Sequence, residues 1–190
     1  MLLLAGLGNP GQKYEKTKHN VGALFLDYLL NDIDSHDNLA LKKAFHALYK
    51  KIEYFDFDIC FLYPQTYMNL SGLSVASAMQ FFKIQPKHAV VVTDDLDQEF
   101  GNVRVRKGGG HGGHNGLRDI IEKLGRSDFY RMKIGIGKPK YAGETSSWVL
   151  SKFNSQELNE LNDKVFPELK ERLHNILKEI RAENMKKGSS

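Results

Sequence analysis

The sequence predicts a single α/β domain, with a mixed, mainly parallel central sheet covered by helices and a helical C-terminal tail. Short apolar runs typical of buried strands alternate with segments of helical periodicity. Polar and glycine-rich segments follow several predicted strands, as they do in sheets that bind ligands at the carboxyl ends of their strands. The 190 residues include 41% hydrophobic residues and no low-complexity tract, so we expect one soluble globular domain covering 1–190.

The predicted elements follow one another along the chain. Residues 1–5 predict the first strand, and periodic apolar residues from Val21 predict a helix that ends in the Asp, Asn and Ser cluster at 31–38. Apolar and aromatic segments predict strands at 45–54 and 57–63, whose short connection is consistent with a hairpin. A helix is predicted to start at 64–66 and to end before Pro86, and it is followed by predicted strands at 89–92 and 103–107. A helix at 117–124 and a strand at 132–137 come next, and a polar mobile loop is predicted at 141–147. The chain is predicted to close with a helical tail, capped by Asn154 and Glu157, whose apolar face changes at Pro167, and with a frayed end at 185–190.

The first loop, at 6–22, directly follows the first strand and carries Asn9, Tyr14, His19 and Asn20. Its glycines fit the dinucleotide fingerprint G-x-G-x-x-G, but that motif requires a helix to begin at the glycines. Here a charged stretch intervenes before helical periodicity begins. The loop therefore favours a turn that places Asn9 and His19 at the carboxyl edge of the sheet. The alternative is that these two side chains only stabilise the loop.

Positive charge is concentrated in one segment. The chain has a net charge of +4, but residues 104–140 contain ten Lys or Arg and three Asp or Glu, so this segment carries +7 and the rest of the chain −3. Such asymmetry indicates a polyanionic partner, because neutralised phosphates release counterions and supply most sequence-independent affinity. The alternative is a basic face that contacts only solvent.

Several classes of protein are disfavoured. The one cysteine, Cys60, lies in an apolar run, so the chain has no internal disulfide and no CxxC metal or redox motif. The N-terminal apolar segment is too short for a signal peptide, and no apolar run is long enough to cross a bilayer. We therefore expect a cytoplasmic protein that does not bind or enter a membrane.

Polar residues after the predicted strands indicate a catalytic site. A histidine becomes a usable general base when a carboxylate orients one ring nitrogen, so His19 and Asp94 form a sensible dyad. No serine lies in a nucleophile elbow and the cysteine lies in a strand, so attack by water or a substrate hydroxyl is favoured over covalent catalysis. Amide side chains that would bind a peptide-like group and stabilise an oxyanion are those of Asn9, Asn69 and Asn115.

A metal centre is an alternative for the same segments. His19, His111 and His114, with the acidic residues of 94–97, offer enough ligand types for zinc or for two metal ions. However, His111 and His114 lie in a glycine loop, and no recognised zinc spacing is present. The sequence therefore favours a site without metal. The glycines of 108–116 would instead let a bulky substrate approach the backbone, unless the loop is purely structural.

Four motifs occur in order over most of the first 137 residues. They are GLGNPG with Tyr14, Thr17 and HNVG in the first loop, PQTYMNLSG at 64–72, DDLD at 94–97 and the glycine-rich segment at 108–116, and the strand KIGIG at 133–137 fits the same pattern. Together they resemble the bacterial peptidyl-tRNA hydrolase family. The resemblance implies a monomeric enzyme that needs no cofactor or metal. It would hydrolyse the ester between a peptide and the 3′-terminal ribose of tRNA, recycling tRNA from prematurely released chains.

The resemblance also implies roles for individual residues. The histidine matching His19 is the catalytic base, the aspartate matching Asp94 supports it, and the asparagine matching Asn9 helps to distinguish N-blocked peptidyl ends from free aminoacyl ends. Arg104 and Arg106 match basic residues that receive tRNA phosphate. Positions implied to contact the substrate are Tyr14, Tyr67, Asn69 and Asn115, with Met68 and His114 from the same motifs. Charge and nearness to the motifs add Lys107, Arg131 and Lys133.

The chain departs from the family's pattern in two places. Thr93 stands where the family often has histidine or an aromatic residue, and Gln-Glu-Phe-Gly at 98–101 replaces Leu-Pro-Pro-Gly, which puts the rigidity of that turn in doubt.

Two other functions stay open. One is a non-catalytic RNA-binding relative, disfavoured by the retained dyad, and the other is a small-molecule esterase or amidase, which would not need the basic segment.

Overall fold

The protein folds around one central β-sheet. In the computed structural model, which describes residues 1–33, 40–141 and 143–188, this sheet has seven strands. The strands are β1 (Leu2–Gly6), β2 (Lys42–Ala44), β3 (Ala47–Tyr54), β4 (Phe57–Pro64), β5 (Ala89–Asp95), β6 (Val103–Lys107) and β7 (Tyr130–Gly135). Their order across the sheet is β2-β3-β4-β1-β5-β7-β6.

The sheet is mixed and mainly parallel, as predicted. Strands β4, β1, β5 and β7 are neighbours that pair in parallel. The pairs β2-β3, β3-β4 and β6-β7 are antiparallel. The carboxyl ends of the four central strands therefore meet at one edge of the sheet, which is where sites lie in open α/β sheets.

Helices cover both faces of the sheet. Over the described ranges the α-helices are α1 (Val21–Ile33), α2 (Ser71–Phe81), α3 (Asn115–Leu124), α4 (Thr145–Leu150), α5 (Ser155–Glu160) and α6 (Phe166–Gly188). Helices α1 and α6 pack on one face, and α2 and α3 pack on the other. None of these helices is both long and apolar enough to cross a membrane.

Strand β1 is buried on both faces, because all its residues are apolar or glycine. Leu2 and Leu4 join the core that contains Phe25 of α1, whereas Leu3 and Ala5 join the core under α2 and α3. This alternation follows from the two-residue period of a strand. Each buried leucine stabilises the fold by roughly 1.5–3 kcal/mol, so β1 is fixed in the middle of the sheet.

The start of α1 lies against the end of β5. A Cβ atom on Gly22 would lie 2.3 Å from the carbonyl oxygen of Val92 and 2.8 Å from the amide nitrogen of Leu7. A side chain cannot occupy that space, so the contact requires glycine. It brings His19, just before α1, close to Asp94, just after Val92.

The helix predicted from 64–66 begins later. Pro64 is the last residue of β4 and pairs with Ala47 of β3. A 3-10 turn at Met68–Leu70 follows, and α2 runs only from Ser71 to Phe81. The prediction of the helix start was wrong because the strand holds Pro64 in extended conformation and the Asn9 side chain holds the amide of Met68.

Two other boundaries in the first half differ from the predictions. Phe45 and His46 form a tight turn with positive φ angles of 58° and 52°, so the strand predicted from residue 45 begins at Ala47. The preceding strand β2 has the sequence Lys-Lys-Ala, which lacks the apolar alternation that predicts a strand. Helix α1 ends at Ile33, and the rest of the cluster at 34–38 lies outside the described residues.

In the second half, three predicted elements need new bounds. Strand β7 starts and ends two residues before the predicted 132–137, and helix α3 begins at Asn115 rather than at 117. The segment predicted as a loop at 141–147 is partly helical, because α4 begins at Thr145. Residue 142 itself lies outside the described residues.

The C-terminal tail is helical, as predicted. Asn154 and Glu157 form a reciprocal capping box at its start, which confirms the predicted cap. The predicted change of face at Pro167 was wrong, because Leu161 and Val165 lie in the same core as Leu169 and Leu173. A wide π turn at Leu161–Val165 leads directly into α6. That turn accommodates a proline, which has no N–H to donate to the preceding turn. Helix α6 continues to Gly188, so the fraying predicted from 185 is not seen there, and residues 189–190 lie outside the described residues.

Candidate active site

Four polar side chains lie at the carboxyl edge of the sheet. Asn9 and His19 lie in the loop after β1, Asp94 lies at the end of β5, and His114 is the N-cap of α3. The amide of Met68, after β4, contacts Asn9. The structure thus brings His19, Asp94 and His114 into contact, whereas Asn9 contacts Met68 and Asn20 and lines a separate cavity.

His19 and Asp94 form a buried hydrogen-bonded pair. Nδ1 of His19 lies 2.8 Å from Oδ1 of Asp94, and the two residues are 9% and 2% exposed. Burial of Asp94 opposes its ionisation, but the charges of His114 and His19 and their hydrogen bonds outweigh burial and hold its pKa well below the ordinary value. The ionised carboxylate accepts a hydrogen bond from the N–H at Nδ1 of His19, which leaves Nε2 of that ring with a free lone pair.

His114 contacts the same carboxylate oxygen. Its Nε2 lies 3.0 Å from Oδ1 of Asp94, and its Nδ1 accepts a hydrogen bond of 3.2 Å from the amide of Leu117. Because Nδ1 accepts, the proton of the neutral ring is on Nε2, and it points towards Asp94. The hydroxyl of Thr93 lies within hydrogen-bonding distance of the same Nε2. His114 was predicted to contact the substrate, and that contact stays a prediction.

A metal site is the alternative interpretation of this cluster of two histidines and one aspartate. Ligand atoms of His19, Asp94 and His114 lie within 4.8 Å of one another. However, the Leu117 amide occupies Nδ1 of His114, so a metal at Nε2 would have to displace the only ring proton. This hydrogen bond disfavours a metal ion, and a site without metal stays our prediction.

Asn9 is held by the backbone and by Asn20. Its Oδ1 accepts a 2.7 Å hydrogen bond from the amide of Met68. Asn20 accepts from the amide of Asn9 at 2.9 Å and donates to its carbonyl at 2.9 Å. With Oδ1 engaged, the NH₂ group of Asn9 is the part of the amide left to bind a substrate.

Asn20 supports the site, although the sequence shows it only as a loop residue. Its side chain packs on Gly8, where a Cβ atom would lie 2.9 Å from Cγ of Asn20. The hydroxyl of Thr17 also donates to Oδ1 of Asn20 at 3.3 Å. A glycine and a threonine beside a buried asparagine are common in loops, so the sequence gives no specific signal for this role.

The cleft that contains His19 and Asp94, which we call the catalytic cleft for the chemistry that we predict there, has a volume of about 280 Å³. Helix α4 forms one wall of it. Side chains that line it include His19, Asp94, His114, Asn115, Thr145 and Val149. Asn115 is exposed, and its Oδ1 accepts a 3.2 Å hydrogen bond from Arg118, so its NH₂ group is also available.

Two predicted contact residues form an aromatic pair near Asn9. The rings of Tyr14 and Tyr67 meet edge to face, with centroids 6.4 Å apart, and Tyr67 is 55% exposed. Tyr67 precedes Met68, whose amide holds Asn9. Asn69 is exposed but does not line the catalytic cleft, so its substrate contact stays a prediction.

A second, basic cleft lies beside the first and has a volume of about 280 Å³. Arg104 pairs with Lys133 and Arg106 pairs with Arg131 across β6 and β7, so all four side chains lie on one face of the sheet. Lys133 lines both clefts and donates to Asp95 at 2.8 Å. The two clefts are therefore continuous at Lys133.

The four cations do not have the same environment. Arg131 is 3% exposed and donates to the carbonyls of Gly109 and Gly110 at 2.5 and 2.7 Å. Burial lowers its pKa. Arg131 thus shapes the glycine loop, whereas Arg104 and Arg106 are exposed.

Lys107, also predicted to contact the substrate, pairs with Glu183 of α6 at 2.8 Å. It therefore lies on the other side of β6 from the basic cleft.

The fold and the site define an α/β enzyme with a buried histidine–aspartate pair at the carboxyl edge of its sheet. The chain belongs to the peptidyl-tRNA hydrolase family, because the family model described as "Peptidyl-tRNA hydrolase" matches residues 3–190. It is accordingly a hydrolase.

Known relatives agree over most of the chain. A peptidyl-tRNA hydrolase of Delftia acidovorans is 41% identical over 187 residues, which are 98% of this chain and 87% of the relative. One of Marinobacter nauticus is 42% identical over 161 residues, covering 85% and 81%. The crystal structure of the peptidyl-tRNA hydrolase of Acinetobacter baumannii superposes with a TM-score of 0.81 at 34% identity, covering 95% of this chain and 94% of that chain.

Proposed function

We propose that this chain hydrolyses the ester bond between the peptide and the 3′-terminal ribose of peptidyl-tRNA, with His19 as general base and Asp94 as its support. The observation that carries the proposal is the 2.8 Å hydrogen bond between the two residues in a cleft that is also lined by the amide side chain of Asn115. The names of the relatives supply the substrate class. Recycling of tRNA from prematurely released chains follows from that substrate.

Each proposed step has a group to perform it. Nε2 of His19 takes a proton from water while the water oxygen attacks the ester carbonyl carbon. Asp94 stabilises the imidazolium that forms, as an ion paired with a buried carboxylate. The bond from the carbonyl carbon to the ribose oxygen then breaks, and the imidazolium returns its proton to that oxygen. The products are a free carboxylic acid and the 3′-hydroxyl of tRNA.

The asparagines would bind the peptide part of the substrate. The NH₂ groups of Asn9 and Asn115 are the available donors, because the Oδ1 atom of each accepts a hydrogen bond within the protein. One such donor aimed at the carbonyl oxygen would stabilise the oxyanion of the tetrahedral intermediate. A fixed Asn9 would also distinguish an N-blocked end from a charged amine. The aromatic pair of Tyr14 and Tyr67 is the adjacent surface for the rest of the peptide.

The basic cleft would receive the phosphates of the tRNA. Arg104 and Arg106 are exposed and stand opposite Lys133 and Arg131 on one sheet face, which gives the cleft a positively charged surface. A phosphate bound there would pair with the exposed arginines and release counterions. Because Lys133 lines both clefts, tRNA held there would be adjacent to His19.

The same proposal includes the setting of the reaction. We expect a cytoplasmic monomer that needs no cofactor or metal and has peptidyl-tRNA as its partner. A non-catalytic RNA-binding relative is the second candidate, because the basic cleft alone would suffice for it. Turnover separates the two.

The test compares hydrolysis of an N-acetylated aminoacyl-tRNA with that of the unblocked aminoacyl-tRNA, in the presence of EDTA. We expect the wild type to cleave only the blocked substrate, and His19→Ala to lower kcat by about 10²- to 10⁴-fold, the usual contribution of a general base. His46→Asn is the control, since it removes an exposed histidine from the β2–β3 turn at a positive φ that asparagine tolerates. Binding of tRNA without cleavage would favour the RNA-binding relative. Inhibition by EDTA that zinc reverses would favour a metal site.

A further inference from the structure

Lys18, the residue before His19, is buried although it lies in a charged, mostly exposed stretch. Only 3% of the residue is exposed. Its Nζ donates to both carboxylate oxygens of Glu157 in α5, at 3.1 and 3.3 Å. Removing an ammonium group from water costs free energy unless a carboxylate pairs with it. The carboxylate of Glu157 therefore compensates for the burial of Lys18.

Two aromatic rings complete the surroundings of this ammonium group. Nζ of Lys18 lies 4.9 Å from the ring centroid of Trp148 and 4.6 Å from that of Phe153, both within the range of cation–π attraction. We call Lys18, Glu157, Trp148 and Phe153 the lysine cage. The indole Nε1 of Trp148 donates to the carbonyl of Gly137 at 2.9 Å, which ties the cage to the segment after β7.

The backbone beside the cage joins the first loop to the segment between α4 and α5. The amide of Lys18 donates to the carbonyl of Ser151, and the amide of Phe153 donates to the carbonyl of Lys16, both at 2.9 Å. These bonds do not depend on the side chain of residue 18. The path of the first loop is therefore held by backbone bonds that would remain if the Lys18 side chain were changed.

Helix α4 is also a wall of the catalytic cleft. Thr145, Ser146 and Val149 line that cleft opposite His114 and Asn115. Trp148, in the same short helix, belongs to the lysine cage. A change in the cage would thus move the cleft wall while leaving the bond between His19 and Asp94 in place.

We propose that Lys18 is a positioning residue, which acts through the lysine cage to hold α4 as the wall of the catalytic cleft and so sets the affinity for the substrate end. The proposal rests on the proposed function for the identity of that substrate. Lys18 affects ground-state binding and not the proton transfer, because Asp94 orients His19 independently. It therefore changes KM and leaves kcat nearly constant.

The test uses two substitutions at one position. Lys18→Met keeps an unbranched apolar stem but removes the charge, and Lys18→Arg restores a cation that stacks on aromatic rings and pairs with carboxylate. Glu157 still caps α5 through the 2.7 Å bond from the amide of Asn154, so we expect Lys18→Met to fold. Circular dichroism and thermal unfolding check this.

The first readout is kinetic. With N-acetylaminoacyl-tRNA, Lys18→Met should raise KM about tenfold with kcat within about threefold of wild type, and Lys18→Arg should recover most of the affinity.

The second readout is fluorescence. Trp148 is the only tryptophan in the chain, so its emission should shift in Lys18→Met and return towards the wild-type spectrum in Lys18→Arg.

The third readout needs no turnover. A 3′-amide-linked N-acetylaminoacyl adenosine should bind Lys18→Met about tenfold more weakly than wild type. Equal binding to both, or a fall in kcat with unchanged KM, would show that Lys18 only stabilises the fold. If the wild type binds the analogue but cleaves no peptidyl-tRNA, the proposed function is wrong. The ratio of the analogue affinities of wild type and Lys18→Met then still tests the role of the lysine cage. If the wild type does not bind it, both proposals fail.

Discussion

The amide of Leu117 donates to Nδ1 of His114 across 3.2 Å, which makes this histidine at once the N-cap of α3 and a partner of Asp94. The bond from the helix fixes which ring nitrogen carries the proton. Asp94 therefore accepts from two imidazoles at a single oxygen, from His19 at 2.8 Å and from His114 at 3.0 Å. His114 thus supports the carboxylate that orients His19, the proposed base.

The role of His114 can be separated from its role as a cap. In His114→Asn the side chain can still cap α3 but is too short to reach Asp94, so we expect kcat to fall about 10- to 100-fold, with little loss of stability. His114→Ala should lose the cap as well and cost roughly 1 kcal/mol more in unfolding free energy. Steady-state kinetics and urea unfolding measure the two effects. A wild-type kcat in His114→Asn would show that Asp94 needs only His19.

The lowered pKa of Asp94 has a consequence for stability. The folded pKa of Asp94 lies below its unfolded value of about 3.9, so its ionisation stabilises the fold above that pH. This contribution is lost as the pH falls through the lower folded pKa. Asp94→Asn should therefore unfold with a flatter dependence on pH below about 4 than the wild type. An unchanged dependence would mean that the carboxylate contributes nothing to acid stability.

Much of the fold and part of the site could be predicted from sequence. Asn9, His19 and Asp94 follow or end strands whose apolar runs are easily recognised, and parallel strands gather such residues at one edge. The start of α2 could not be predicted locally. It depends on a hydrogen bond from Met68 to Asn9, which lies 59 residues away in sequence.

Two supporting residues show a further limit. Lys18 lies in a charged stretch that is typical of an exposed loop, and its burial depends on Trp148 and Glu157, which are far away in sequence. The position of Arg131 near the glycine motif suggests a phosphate contact, but only the folded loop shows that its guanidinium binds two carbonyls. Pattern and charge predict where a residue lies along the chain, whereas its partners depend on the packing of distant elements.

The basic cleft predicts a change in salt dependence. Replacing both Arg104 and Arg106 by Ala should reduce the slope of log affinity against log salt by about one unit for each phosphate that is no longer neutralised. Hydrolysis of a minimal substrate without the tRNA body should change little. Arg172→Ala is the matched control, because Arg172 is an exposed arginine on α6 that pairs with Glu168. An unchanged slope in the double variant would place the phosphate site elsewhere.

Asn20 offers a test of how Asn9 is held. Asn20→Asp keeps the size of the side chain and its acceptor for the amide of Asn9, but it replaces the NH₂ group that donates to the carbonyl of Asn9 with a carboxylate oxygen. Two oxygens then face each other in a buried loop, which costs about 1–3 kcal/mol. We expect a lower Tm, and a kcat/KM for N-acetylaminoacyl-tRNA at least about tenfold below wild type, because Asn9 is no longer held in a fixed orientation. Asn159→Asp, at an exposed position of α5, is the control for the added charge. A lower Tm with unchanged kcat/KM would show that Asn20 stabilises the loop without positioning Asn9 for the reaction.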